Sequence, residues 1–140
     1  MLTYLHIIVI SETWATDDLT DGELSIDGFS IIRSDRKGRV GGGILLYVKS
    51  SISVQSFCDD IGFEESAWCV ADLGRSTLII GVCCRSPSRE ELNNDRMLHV
   101  LEIASKHCNK ISLGLHLLLV GDFNYPEINI VTYLKSLMSN

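Results

Sequence analysis

The sequence predicts a layered α/β domain, and three observations carry that expectation. Short apolar runs, Ile7–Ile10 and Leu117–Val120 among them, stop abruptly in turn residues, as buried strands do. β-Branched and aromatic runs separated by glycines fill the middle of the chain, the pattern of antiparallel pairing. One segment of helical period lies between two strand regions, which is the α/β signature. At 140 residues and 46% hydrophobic, the chain is long and apolar enough for one domain with a real core.

Taken in order, Tyr4–Ile10 reads as a first buried strand that ends in Ser11-Glu12-Thr13-Trp14, followed by a polar loop through Asp17, Asp18 and Asp21. Phe29–Arg33 and Gly43–Lys49 flank a connection whose glycines suit an antiparallel hairpin or bulge. Ala67–Leu73 and Thr77–Cys84, either side of a turn at Gly74-Arg75, extend this into a β-meander. Beyond Pro87, Met97, Val100, Leu101, Ala104 and Cys108 recur at helical spacing, and Ser88 with Glu91 forms a capping-box signature. A helix from about Arg89 to Lys110 follows, with Asn93-Asn94 as a candidate break, then a strand Leu115–Val120 expected to be buried on both faces. Ile130, Tyr133, Leu134 and Leu137 suit a short helix over Ile130–Leu137.

The net charge of -6 has the wrong sign for a protein that holds nucleic acid by phosphate neutralisation alone, so any such activity must rest on a local site. Cys58, Cys69, Cys83, Cys84 and Cys108 are an odd set without a CxxC pair, neither a disulfide framework nor a zinc site. Reduced cysteines used as small core residues suit an intracellular protein. Ile7–Ile10 is too short to span a bilayer and no basic segment precedes it, so no membrane partner is expected.

Two acidic residues share one context. Glu12 and Asp122 each lie directly beyond an apolar strand; if those strands are parallel neighbours, the carboxylates sit side by side at one rim of a sheet. Mg²⁺ binds through one or two carboxylates and keeps its other positions for water and phosphate. Glu12 is then a metal ligand, Asp122 a second ligand or the group that orients an attacking water, and Asn124 a neutral donor to a phosphate oxygen. Turn chemistry explains Gly121-Asp122-Phe123-Asn124 equally well, because Asp and Asn bond their own backbone and tolerate left-handed conformations. Glu12 alone also reads as a solvated loop residue and Trp14 as a packing residue.

Other chemistry is weaker. Gly41-Gly42-Gly43 lacks the Lys-Ser/Thr of a P-loop and precedes a strand, there is no Gly-x-Ser-x-Gly, and His6, His99, His107 and His116 fall within strands or the helix. Arg33, Arg36, Lys37 and Arg39 could meet a phosphate backbone or form an ordinary solvated turn. Arg85 is a further basic candidate for such a contact.

Together, Ile10-Ser11-Glu12-Thr13-Trp14, Ser34-Asp35-Arg36 with Gly38-Arg39-Val40-Gly41-Gly42-Gly43-Ile44-Leu45-Leu46-Tyr47-Val48, and Val120-Gly121-Asp122-Phe123-Asn124-Tyr125-Pro126-Glu127 resemble one family in order and spacing. It is the apurinic-type endonuclease domain of LINE-like non-LTR retrotransposons, within the endonuclease/exonuclease/phosphatase superfamily. The resemblance runs from Leu5 to about Asn129. It implies a four-layer α/β sandwich of the exodeoxyribonuclease III and DNase I type, in which two mixed sheets pack face to face with the site at one rim. It also implies hydrolase activity dependent on Mg²⁺ (or Mn²⁺), namely nicking of DNA to prime reverse transcription, with DNA as partner and a nuclear location. By motif position Glu12 is the metal-binding glutamate, Asp122 the aspartate that aligns the nucleophilic water, and Asn124 the asparagine at the scissile phosphate.

The departures from that pattern bound the expectation. The family's opening strand with its metal-site asparagine and its closing Ser-Asp-His are both missing from these 140 residues, and Cys84 stands where the family has an active-site tyrosine. Its domains run to roughly 200–250 residues, so the resemblance makes this chain an incomplete sandwich, a middle piece truncated at both ends. Each lost acid-base group costs about 10²–10⁴ in rate, so the chain is expected to be inactive in isolation and to bind metal weakly. Two rival readings remain open: a phosphatase or phospholipase-like member of the superfamily, and a non-enzymatic interaction module that self-associates through exposed sheet edges.

Overall fold

Two β-sheets packed face to face form the centre of the protein, described from a computed structural model. The description covers residues 4–38, 40–57, 66–84, 91–110 and 114–124, together with 131, 132, 135, 136 and 139; of these, 91–94 and 108–110 are described by backbone alone. The first sheet holds β1 (Ile7–Ser11), β2 (Phe29–Ser34) and β3 (Ile44–Lys49) in the order β1-β3-β2, all antiparallel. In the second, β4 (Ser53–Ser56), β5 (Ser66–Asp72), β6 (Thr77–Cys83) and β7 (Leu115–Val120) lie in sequence order. Its first three strands pair antiparallel, and β7 joins β6 in parallel after a crossover through α2 (Glu91–Lys110).

Strand alternation explains how both faces of the second sheet are filled. Ile44, Leu46 and Val48 of β3 meet Ala67, Cys69 and Ala71 of β5 and Ile80 and Val82 of β6 in a core between the sheets. On the opposite face Trp68, Ile79 and Cys83 lie beneath Met97, Val100, Leu101 and Ala104, the helical stripe expected from the sequence. Trp68 and Gly81 are direct partners in the ladder, and a Cβ on Gly81 would fall 2.3 Å from the indole. The glycine makes room for the ring to lie across the neighbouring strand.

A segment from Glu12 to Gly28, containing the single-turn α1 (Asp21–Leu24), covers the outer face of the first sheet, where Leu45 and Tyr47 are buried. Two side chains of that sheet pin it. The Tyr47 hydroxyl donates to the Leu24 carbonyl at 2.6 Å. Arg33 donates to the carbonyls of Leu19 and Thr16 at 2.6 and 3.1 Å, to Asp21 at 3.0 Å and, through Nε and Nη2, to Asp35. The layers are thus the α1-bearing segment, three-stranded sheet, four-stranded sheet and α2: a mixed α/β fold with two sheets and few helices.

Several expectations need correction. Ser53–Ser56 forms a strand where none is expected, and within the expected loop around Asp21, Thr20 caps α1 and exchanges reciprocal bonds with Glu23 in a capping box. The expected meander is divided, because the chain changes sheets between β3 and β4. β1 and β7 are edge strands rather than fully buried ones: His116 and Leu118 of β7 are exposed, Leu118 by 36%. Of the two sheets only the second is mixed among the described strands. The Ser88–Glu91 capping box lies outside the described residues; of the expected helix at 130–137, Val131, Thr132, Lys135 and Ser136 are helical and its other residues lie outside them. No helix among the described residues is long and apolar enough to cross a membrane.

Candidate active site

Backbone strain marks the two motifs. Glu12, Trp14 and Asn124 have φ of 53°, 55° and 39°, and among the described residues they are the non-glycines in the left-handed region. For a glutamate and a tryptophan this is a costly conformation, which persists only where the surroundings enforce it. At the first motif they do. Just beyond β1 the Thr13 and Trp14 amides donate to the Gly43 and Gly42 carbonyls at 3.3 and 2.9 Å. Glu12 Oε2 accepts from the Gly42 amide at 3.0 Å and from the Trp14 indole at 3.2 Å.

This close approach explains the glycine run that the sequence left as a hairpin or bulge. Gly42 and Gly43 have φ of 70° and 89°. A Cβ on Gly43 would sit 2.4 Å from Thr13 Oγ1, and one on Gly42 2.7 Å from Nε of Arg36, whose guanidinium lies over it. The run shapes the loop around Glu12. With Oε2 held twice, Oε1 is without a protein partner among the described residues.

The second motif closes β7. Gly121 has φ 148° and lies so near the end of β6 that an added Cβ would be 1.8 Å from the Cys83 carbonyl oxygen. Asp122 therefore emerges beside Cys83 and Cys84. Its Oδ1 accepts from the Asn124 amide at 3.2 Å, an Asx turn, while Phe123 packs against the core beneath α2. The turn chemistry anticipated as an alternative is thus present, and it leaves Asp122 Oδ2 open on an exposed side chain.

The strands that end in Glu12 and Asp122 are not parallel neighbours. β1 pairs antiparallel with β3 in one sheet and β7 parallel with β6 in the other, so the two motifs stand on different sheets. The parallel-neighbour expectation failed because the apolar character of both strands reports burial, not sheet membership. No group of three metal-ligating side chains occurs among the described residues. What the structure offers a cation is the open oxygen of Glu12, a hard ligand in a pre-set loop. A single open carboxylate oxygen is the kind of donor that Mg²⁺ or Mn²⁺ takes while keeping its waters.

The basic cluster separates by role. Arg33 is consumed by structure: its five donors are engaged, and the Asp35 hydrogen bond, ahead of the Asp21 contact, raises its already high pKa. Arg36 is half-buried against Gly42 and Lys37 is exposed; Arg39 and Arg85 lie outside the described residues. His6, His99 and His116 are exposed, and His107 meets the ring of Phe57 edge-on at 5.5 Å. Burial pushes the Cys69 thiol up to about 11 and the Cys83 thiol higher still. Cys84 is half-buried at the margin of the inter-sheet core. Trp14, expected to be a packing residue, is instead 62% exposed and bonded to Glu12. Its spacing two residues after an acid at a strand end was the available signal.

No family model matches the sequence, and no curated relative matches it. Among solved structures the chain is similar to ANGEL2, a 2′,3′-cyclic phosphatase in complex with adenosine-2′,3′-vanadate, at a TM-score of 0.60 and 17% identity. The likeness covers 94% of this chain and 43% of that one, so the chain spans less than half the length of the structure it matches. At this identity the match shows the fold alone, a mixed α/β architecture with two sheets and few helices.

Proposed function

We propose that this chain is part of a divalent-metal-dependent phosphoesterase of the endonuclease/exonuclease/phosphatase superfamily, of the DNA-nicking type found in LINE-like retrotransposons. The observation that carries the reading is the placement of strain: the left-handed non-glycine residues fall in Ser-Glu-Thr-Trp and Gly-Asp-Phe-Asn and nowhere else among the described residues. Turn-forming alone would account for Asn124, which tolerates that region, but not for Glu12 and Trp14. In this reading Glu12 Oε1 would hold Mg²⁺ or Mn²⁺, which would supply charge neutralisation at the phosphoester when bound. Asp122 orients the attacking water through its open oxygen, and the Asn124 side-chain carboxamide donates to a phosphate oxygen. Arg36 and Lys37 contact the nucleic-acid backbone, with Arg39 and Arg85 assigned the same role on sequence grounds.

The 140 residues by themselves should be poor catalysts, because the histidine and tyrosine of the resembled family have no counterpart in them and Cys84 offers a thiol in place of a phenol. A second reading, a phosphatase acting on a nucleoside phosphoester, is favoured by the likeness to ANGEL2. The test incubates the chain and its Asp122→Ala variant with Mg²⁺ and either supercoiled plasmid or 2′,3′-cyclic AMP. The expected result is no turnover of either above background. Nicking that disappears in Asp122→Ala would refute the inactivity and retain the endonuclease; hydrolysis of the cyclic phosphate without nicking would transfer the chain to the second reading.

A further inference from the structure

We infer that Trp14 is a stacking platform for the nucleobase next to the phosphate handled at Glu12, so that the site selects base-bearing phosphoesters. This rests on the phosphoesterase reading above and adds to it the part of the substrate that the site grips. Scattered exposed apolar residues need no explanation, but Trp14 is not a loose surface side chain. It is 62% exposed although its backbone is bonded to Gly42, its φ is 55°, and its indole N–H is anchored on Glu12. A strained backbone and a used polar handle leave a rigid aromatic face, with little entropy to lose on stacking.

What surrounds the ring names the occupant. A Cβ on Gly41 would touch Cε2 of the indole at 3.7 Å and Nη1 of Arg36 at 3.9 Å, so the ring and the guanidinium border the same residue. Gly41 is itself at φ 91°, which keeps that spot free of a side chain. A flat apolar face, a guanidinium and an open carboxylate oxygen therefore converge around Gly41 and Gly42. A nucleotide presents the complement: a flat base, an anionic phosphate and oxygens for a bound cation. A lipid acyl chain would use the ring but not its fixed plane, and a sugar phosphate would use the charges but not the ring.

The test measures binding of 5′-AMP and of ribose 5-phosphate to the chain in Mg²⁺, by calorimetry and by quenching of tryptophan emission. Trp68 is buried and serves as a constant background. Base–aromatic stacking corresponds to an affinity advantage of about 5- to 100-fold for AMP over ribose 5-phosphate. Trp14→Ala should erase the ratio, and Trp14→Phe, which keeps a ring but loses the bond to Glu12, should retain most of it. A merely structural Trp14 would lower both affinities together and leave the ratio unchanged. Equal binding of the two ligands to the wild type, a ratio that survives Trp14→Ala, or a response to phosphatidylserine–phosphatidylcholine vesicles in place of AMP would each overturn the inference. Mn²⁺ binding that depends on Glu12 separates this failure from failure of the phosphoesterase reading.

Discussion

Replacing Gly121 by alanine should be among the most damaging single-methyl changes in the protein, and its cost can be worked from geometry. The residue adopts φ 148°, and the new Cβ would lie 1.8 Å from the carbonyl oxygen, 2.7 Å from the carbonyl carbon and 3.1 Å from the nitrogen of Cys83. These are backbone atoms at the end of a buried strand, so no side-chain rotation relieves them. Gly74 provides the internal reference: φ is 84°, but nothing lies within 4 Å of its added Cβ. Gly74→Ala should therefore cost only the conformational part, roughly 1–2 kcal/mol. Gly121→Ala adds forced separation of β6 and β7, about 2–3 kcal/mol on the scale of overpacked sites, for a total of about 3–5 kcal/mol. At about 3–4 °C per kcal/mol for a chain of this size, thermal unfolding should shift down by about 10–20 °C for Gly121→Ala and by about 3–8 °C for Gly74→Ala. Circular dichroism melts and urea titrations of both variants measure this. Equal shifts would refute the claim that the Asp122 turn is set by direct backbone packing against β6.

Three further outcomes follow from the packing and the ionisable groups. Gly81→Ala pushes a methyl into the Trp68 ring, 2.3–2.6 Å away, and should lower stability by about 1–3 kcal/mol with an altered near-UV spectrum; an unchanged spectrum would contradict the ring's placement. Arg33→Lys keeps the charge of a side chain only 17% exposed but loses the fork that joins Asp21, Asp35 and two carbonyls; it should cost about 1–3 kcal/mol and sensitise residues 13–28 to proteolysis. Cys69 titrates at about 11 in the fold against an ordinary 9.0, so above pH 9 the unfolded chain releases a proton that the folded chain retains. Stability should then fall as pH rises from about 9 to about 11, with Cys83 acting in the same direction; urea midpoints that stay flat across that window in wild type, or that fall as steeply in Cys69→Ala, would contradict the assignment.

How much of this was legible beforehand depends on what each signal reports. Periodicity located β2, β3, β5, β6, β7 and α2, because burial of alternating or helical faces is written residue by residue: Met97, Val100, Leu101 and Ala104 meet the sheet as their spacing requires. It missed β4, whose Ser-Val-Gln-Ser carries a single apolar residue, since an edge strand needs only one side chain for the core. The capping box at Thr20 and Glu23 was readable and was passed over because no apolar run follows it. Sheet membership was not legible: β1 and β7 are similarly apolar, and only partner choice assigns them to different sheets. The motifs themselves were identified by residue type. Their geometry was not, because the bond from Gly42 to Glu12 spans thirty residues and depends on left-handed glycines that sequence alone reads as a loose turn.

The measurement nearest to the central claim is a Mn²⁺ titration of the whole chain, followed by electron paramagnetic resonance of the free ion, in wild type and in Glu12→Gln. The substitution keeps the shape of the side chain and its hydrogen-bond acceptor for Gly42 and Trp14 while removing the charge offered by Oε1. One weak, saturable site is expected in the wild type, weakened at least about tenfold in Glu12→Gln, as when a metal site loses its anionic ligand, with the melting temperature unchanged. A wild type that binds no Mn²⁺, or a Glu12→Gln variant that binds it equally well, would contradict the claim that this strained loop is built to hold a cation for phosphoester chemistry.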